Sequence, residues 1–171
     1  MKRIVLTFGL ILGAILSAQM IIMMSMTMNN TSYAGNEMIG YATQVIVYTL
    51  VFFGIRNYRD KQLSGFISFG KAFKVGILIS LIGSTMYVVS WMIYYFGFAT
   101  EFADRYAAQV IAEASKKGAA ELAATTKDME TFKKMYSQPI FVFFITFLEV
   151  LPVGIIITLI SSLILKRKPT A

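Results

Sequence analysis

IFVFFITFLEVLPVGIIITLISSLIL, residues 140–165, is the stretch whose reading decides the fold. Its 26 residues carry a single charged side chain, Glu149. At 1.5 Å rise per residue, roughly 20 helical residues cross a hydrocarbon layer of about 30 Å. A helix also bonds every backbone N–H and C=O within the segment, as hydrocarbon demands. Three further runs share this character: 4–28, 38–55 and 75–98, of 25, 18 and 24 residues. The first begins after Lys2 and Arg3 but continues well beyond the 7–15 apolar residues of a signal peptide, so it reads as a retained span. The expectation is an all-α fold, a four-helix transmembrane bundle. It forms one membrane domain over 1–171, with an inner loop at 56–74 and an outer helical segment at 99–138.

Composition narrows the function classes. Of 171 residues, 57% are hydrophobic and 15% charged, less charge than a soluble domain of this size carries. The net charge is +7. The basic residues flank the apolar runs, so topology and anionic lipid account for them, and no nucleic-acid partner is expected. Cys and His are absent. That removes disulfides, thiolate nucleophiles, Cys or His zinc sites, His-ligated haem and triads that need imidazole. No acidic cluster stands at metal-ligand spacing, and no GxxxxGK[ST] or strand-linked GxGxxG occurs. The chain is therefore expected to have no cofactor, no metal, no catalytic residues and no enzymatic activity.

Orientation follows from the loops. Lys2, Arg3, Arg56, Arg59, Lys61, Lys71, Lys74, Lys166, Arg167 and Lys168 fall on one side of a four-span thread. The other side has the polar turn 29–37, without Lys or Arg, and the segment 99–138, with six basic and six acidic residues. Short basic loops stay cytoplasmic, which puts both termini inside. The outer segment is rich in helix formers. Phe102, Tyr106 and Val110 make one stripe; Leu122, Met129, Phe132, Met135 and Tyr136 make another. Gly118 lies where two helices would bend back, so an extracytoplasmic helical hairpin is expected between spans three and four. Its apolar faces can pack on each other and the bilayer surface, or dock an unidentified membrane or extracytoplasmic protein.

Inside the spans, Glu149 demands an explanation, since an acid at that depth costs several kcal/mol when charged and lipid-facing. It is expected to face the bundle. Pro152 cannot donate to the carbonyl of Leu148 and should kink the helix there. Counting from the outer ends brings Gln19, Tyr48 and Tyr87 to the depth of Glu149, and Gln44 shares a face with Tyr48. A polar seam of Gln19, Gln44, Tyr48, Tyr87 and Glu149 follows. It can pin helices together, or it can carry protons or ions through Glu149. Small residues recur every four positions at Gly9, Gly13 and Ser17, at Gly76, Ser80 and Ser84, and at Gly154, Thr158 and Ser162. Such stripes let helix backbones approach closely. Packing within the chain is expected, with dimerisation through the Gly9–Gly13 face as the other option.

The inner loop carries Phe66, Phe69 and Phe73 at helical spacing beside Lys71 and Lys74. This describes a short interfacial helix, with Phe66 and Phe69 in the headgroup layer and Lys71 and Lys74 on anionic phosphates at the cytoplasmic face. Three short motifs stand in order: Gly54-Ile-Arg-Asn-Tyr-Arg-Asp-Lys61, Ile67-Ser-Phe-Gly-Lys-Ala-Phe-Lys-Val-Gly76, and Glu149-Val-Leu-Pro-Val-Gly154. In these motifs, and in the order of four helices with a long outer segment before the last, the chain resembles the small bacterial membrane proteins grouped as domain of unknown function 4199. The resemblance implies a multi-pass protein of a bacterial cytoplasmic membrane. It implies no activity and assigns no residue a role. The expected function is a non-enzymatic structural, accessory or partner-binding role, and the alternative is a small transporter or channel subunit using Glu149.

Overall fold

The computed structural model describes residues 1–29 and 37–168, with side chains for 1–26 and 39–168. The turn expected over 29–37 falls largely outside them. Among the described residues there are seven helices: α1 (Lys2–Asn29), α2 (Glu37–Tyr48), α3 (Leu50–Gln62), α4 (Phe69–Phe98), α5 (Phe102–Ser115), α6 (Ala119–Tyr136) and α7 (Pro139–Leu165). Four stretches are long and apolar enough to cross a membrane: Lys2–Met26, Ile39–Gln62, Phe69–Phe98 and Pro139–Leu165. The extended pairing among these residues is one antiparallel bridge, Ile67 with Arg167.

Two boundaries differ from the sequence reading. The second helical stretch does not stop at residue 55 but runs to Gln62, with an interruption at Thr49. The polar residues after Ile55 hold the helix through ion pairs of Asp60 with Arg59 at 2.7 Å and Arg56 at 3.6 Å. The chain then turns through Ser64 and Gly65, both at positive φ (51° and 88°). At Thr49 the hydroxyl donates to the carbonyl of Ile46 at 2.6 Å, a local bond that competes with the helical ladder. The separate interfacial helix expected in the inner loop is absent from the described residues. α4 begins at Phe69 and continues unbroken into the third span, so Phe69, Lys71 and Lys74 occupy its first turns and Phe66 lies in the preceding bend. Ser68 sets this start, its hydroxyl accepting from the Lys71 N–H at 3.4 Å.

The chain divides into two compact units, residues 1–88 with 147–171, and residues 89–146. In the first, Leu12, Tyr48, Val51, Ile55, Val75, Ile79 and Val150 are fully or almost fully buried. The small-residue stripes are where the helices meet. A Cβ on Gly9 would lie 2.8 Å from Ile82, and one on Gly13 would lie 2.7 Å from Met86. Four residues along α1 thus match four along α4, so the two helices run parallel. The Gly9–Gly13 face is consumed by this packing. Likewise Gly76 meets Thr158, and Gly154 meets Tyr48 and Ser80. The outer surface is apolar: Leu6, Leu10, Ile22, Ile46, Ile156 and Ile164 are exposed, while Ser80, Ser84, Thr158 and Ser162 are wholly buried. Polar groups inside and hydrocarbon outside suit a lipid solvent better than water.

In the second unit, α5 packs on α6 through aromatic rings. Tyr106 meets Phe132 at 5.4 Å between centroids, and Phe102 meets Tyr136 at 6.1 Å. Trp91 and Tyr95 join the cluster against Phe102. Ala103, Ala107 and Ala114 are buried along α5; short side chains there allow close approach. Lys133 and Asp104 close the pair at 2.5 Å. Gly118, at φ 117°, makes the bend before α6 that its position suggested.

Candidate functional site

Two places in the first unit hold the residues of interest. One is the polar seam between α2, α4 and α7. Ser80 and Ser84 lie one turn apart on α4 and so share a face. The Ser84 hydroxyl bonds the Tyr48 hydroxyl at 2.7 Å, and Tyr48 also donates to the Val150 carbonyl at 3.3 Å. One turn along, Ser80 bonds the Thr158 hydroxyl at 3.2 Å and donates to the Gly154 carbonyl at 3.4 Å. These groups satisfy one another in a region where an unbonded hydroxyl is costly. The close approach at Gly154 lets the Tyr48 ring reach the α7 backbone, since a Cβ there would stand 2.6 Å from the ring.

Of the five residues expected in the seam, the structure brings one, Tyr48, to its centre. Gln19 bonds Thr43 across α1 and α2, and its amide also approaches the Met23 sulfur at 3.9 Å. Gln44 is half-buried, and its side-chain nitrogen has no hydrogen-bond partner among the described residues. Tyr87 is half-buried on α4, one turn from Ser84. Glu149 does not face the bundle: it is exposed, and Pro152 beside it is exposed too. The reason is helical period. Val142, Thr146, Val150, Gly154 and Thr158 form the buried face of α7. Glu149, about 100° round from Val150 and 60° from Thr146, lies at the edge of that face. It still interacts with other groups of the chain, as does Tyr87. Ser80, Ser84 and Thr158 are seam members that the expected set of five did not include. Their signal was present in the four-residue stripes, which have small polar side chains facing each other.

The second place is the basic end. Parallel register puts the start of α1 beside Val75, about two turns into α4. The Arg59 guanidinium donates to the Leu165 carbonyl at 3.4 Å, capping α7. Ile67 and Arg167 exchange backbone bonds at 3.0 and 2.9 Å, and the Arg167 guanidinium lies 5.9 Å from the Phe66 ring centroid. The basic ends of α1, α3, α4 and α7 are thereby gathered, with Asp60 the acid among them. Lys71, Lys74 and Phe69 are exposed and Phe69 stacks on Phe73, whereas Phe66 is half-buried. Among the described residues no three acidic side chains come close enough to hold a metal ion.

Residues 7–167 match the family described as "Protein of unknown function (DUF4199)", and the chain belongs to that family. No curated protein and no solved structure matches it.

Proposed function

We propose that this member of the DUF4199 family is an integral protein of a bacterial cytoplasmic membrane with a non-enzymatic structural, accessory or partner-binding role. Four spans cross the bilayer. Both termini and the basic end face the cytoplasm, and α5 with α6 forms a helical hairpin on the outer side. The observation that carries the role is the seam: Tyr48, Ser84, Ser80 and Thr158 bond one another and the α7 backbone. Such mutual bonding pins helices, and it leaves the acid of α7 outside. Anionic headgroups at Lys71 and Lys74 are the lipid partners, and a membrane or extracytoplasmic protein is the protein partner.

The alternative, a transporter or channel subunit using Glu149, draws support from the buried Ser17 hydroxyl and Gln44 amide, which have no hydrogen-bond partner among the described residues. Two variants separate the readings. Under the structural role, Glu149→Gln and Glu149→Leu leave thermal unfolding in detergent nearly unchanged, and wild-type proteoliposomes pass no proton or cation flux above empty vesicles. Flux that is present in wild type and lost in Glu149→Gln, with folding intact, would overturn it in favour of transport.

A further inference from the structure

We propose that the groove between the first turns of α1 and the Val75–Leu78 turn of α4 binds one anionic phospholipid, its hydrocarbon chain in the groove and its phosphate on the lysines at its end. The inference rests on the membrane reading and gives its lipid contact a place. The groove has about 260 Å³ of space, and its lining is apolar apart from its mouth: Val5 and Leu6 on α1, Leu78 on α4, with Met1 and Lys2 at the open end. The groove is open on one side, and its apolar lining offers a stretch of acyl chain a surface to lie against.

Helical geometry supplies the headgroup site. On α4, Lys71, Lys74 and Leu78 are three and four residues apart and lie on one face; on α1, Lys2 and Leu6 are four apart. The parallel register fixed by Gly9 with Ile82 and Gly13 with Met86 sets Lys2 level with Val75, beside Lys74. Lys2 lines the groove; Lys74 and Lys71 are exposed and stand one and two turns before Leu78 on the same face of α4, toward the end where Lys2 lies. Among the described residues no acid pairs with these lysines. Asp60, the acid of the basic end, is held by Arg59 and Arg56. Charge complementarity thus selects an anionic headgroup, and the apolar floor selects a lipid over a free phosphate.

Native mass spectrometry of the full chain, released from nanodiscs of equal phosphatidylglycerol and phosphatidylcholine, tests this. The wild type is expected to retain one phosphatidylglycerol in preference to phosphatidylcholine. Lys2→Gln and Lys74→Gln should each lower that preference about fivefold. Leu6→Trp, at an exposed groove wall that tolerates substitution, should lower retention of both lipids. Lys127→Gln on α6 should change nothing. Equal retention of the two lipids by the wild type overturns the proposal. So does phosphatidylglycerol retention that none of the groove variants alters, which places the lipid elsewhere while leaving the membrane reading intact. A chain that stays monodisperse without detergent and carries no lipid removes the membrane reading itself.

Discussion

Tyr48 concentrates the energetics of the first unit. Its ring is fully buried and its hydroxyl serves two helices at once, α4 through Ser84 and α7 through Val150. Tyr48→Phe keeps the ring and deletes both bonds, leaving the Ser84 hydroxyl short of a partner. The expected loss is about 1–2 kcal/mol, measured as a fall in unfolding midpoint in detergent. Because the two hydroxyls share one bond, the double variant with Ser84→Ala should lose less than the sum of the singles by at least about 0.5 kcal/mol. Strict additivity would show that the pair is not coupled. Glycines give a second residue-level contrast. Gly154→Ala drives a Cβ to 2.6 Å from the Tyr48 ring and 3.0 Å from Ser80, an overpacking that should cost about 1–3 kcal/mol. Gly97→Ala meets nothing within 4 Å and should stabilise α4 by up to about 1 kcal/mol. Equal effects at the two sites would contradict the close-packed seam. At this scale the sequence was a partial guide. Depth counting found Tyr48 but placed Glu149 beside it, because depth fixes position along a helix and says nothing of rotation about it. Spacing did not settle rotation either: Glu149 stands seven residues from Val142 and three from Thr146, at the edge of the buried stripe, and the packing of α7 leaves it exposed.

Among the elements, α1, α4 and α7 were legible because long apolar runs have few other solutions. The second span was less so. Hydropathy falls after Ile55, yet the helix continues for seven residues through RNYRDKQ, since helix propensity and the Arg56–Asp60 and Arg59–Asp60 pairs outlast hydrophobicity. At Thr49 the backbone tightens locally, its N–H bonding the Ile46 carbonyl three residues back at 3.1 Å, which periodicity does not register. The aromatic stripes of α5 and α6 were read correctly as faces, and their rings pack on each other. Tyr136 is 5% exposed at the centre of that cluster. Tyr136→Ala should therefore destabilise the α5–α6 pair by about 3 kcal/mol. Hydrogen exchange is the suitable probe: amides of α5 and α6 should lose protection while those of α4 around Ser80 keep theirs. Uniform loss across both regions would argue that the two compact units unfold as one.

For the whole molecule, charge distribution is the feature that gives direction. Ten basic residues sit at the ends of α1, α3, α4 and α7, while the segment 99–138 is balanced at six and six. The sequence made this asymmetry plain. It did not reveal the Arg59 cap on α7 or the Ile67–Arg167 bridge that ties the bend between α3 and α4 to the last helix, because both join positions about a hundred residues apart. The account stands on four crossings with the basic end inside, and the chain's lack of cysteine makes that directly measurable. Single cysteines are placed at Lys61, Lys168 and Lys127, and intact cells are exposed to a membrane-impermeant thiol reagent. Lys127→Cys should react at once, and Lys61→Cys and Lys168→Cys only after the membrane is permeabilised. Labelling of Lys61→Cys in intact cells, with Lys127→Cys protected, would contradict the proposed topology.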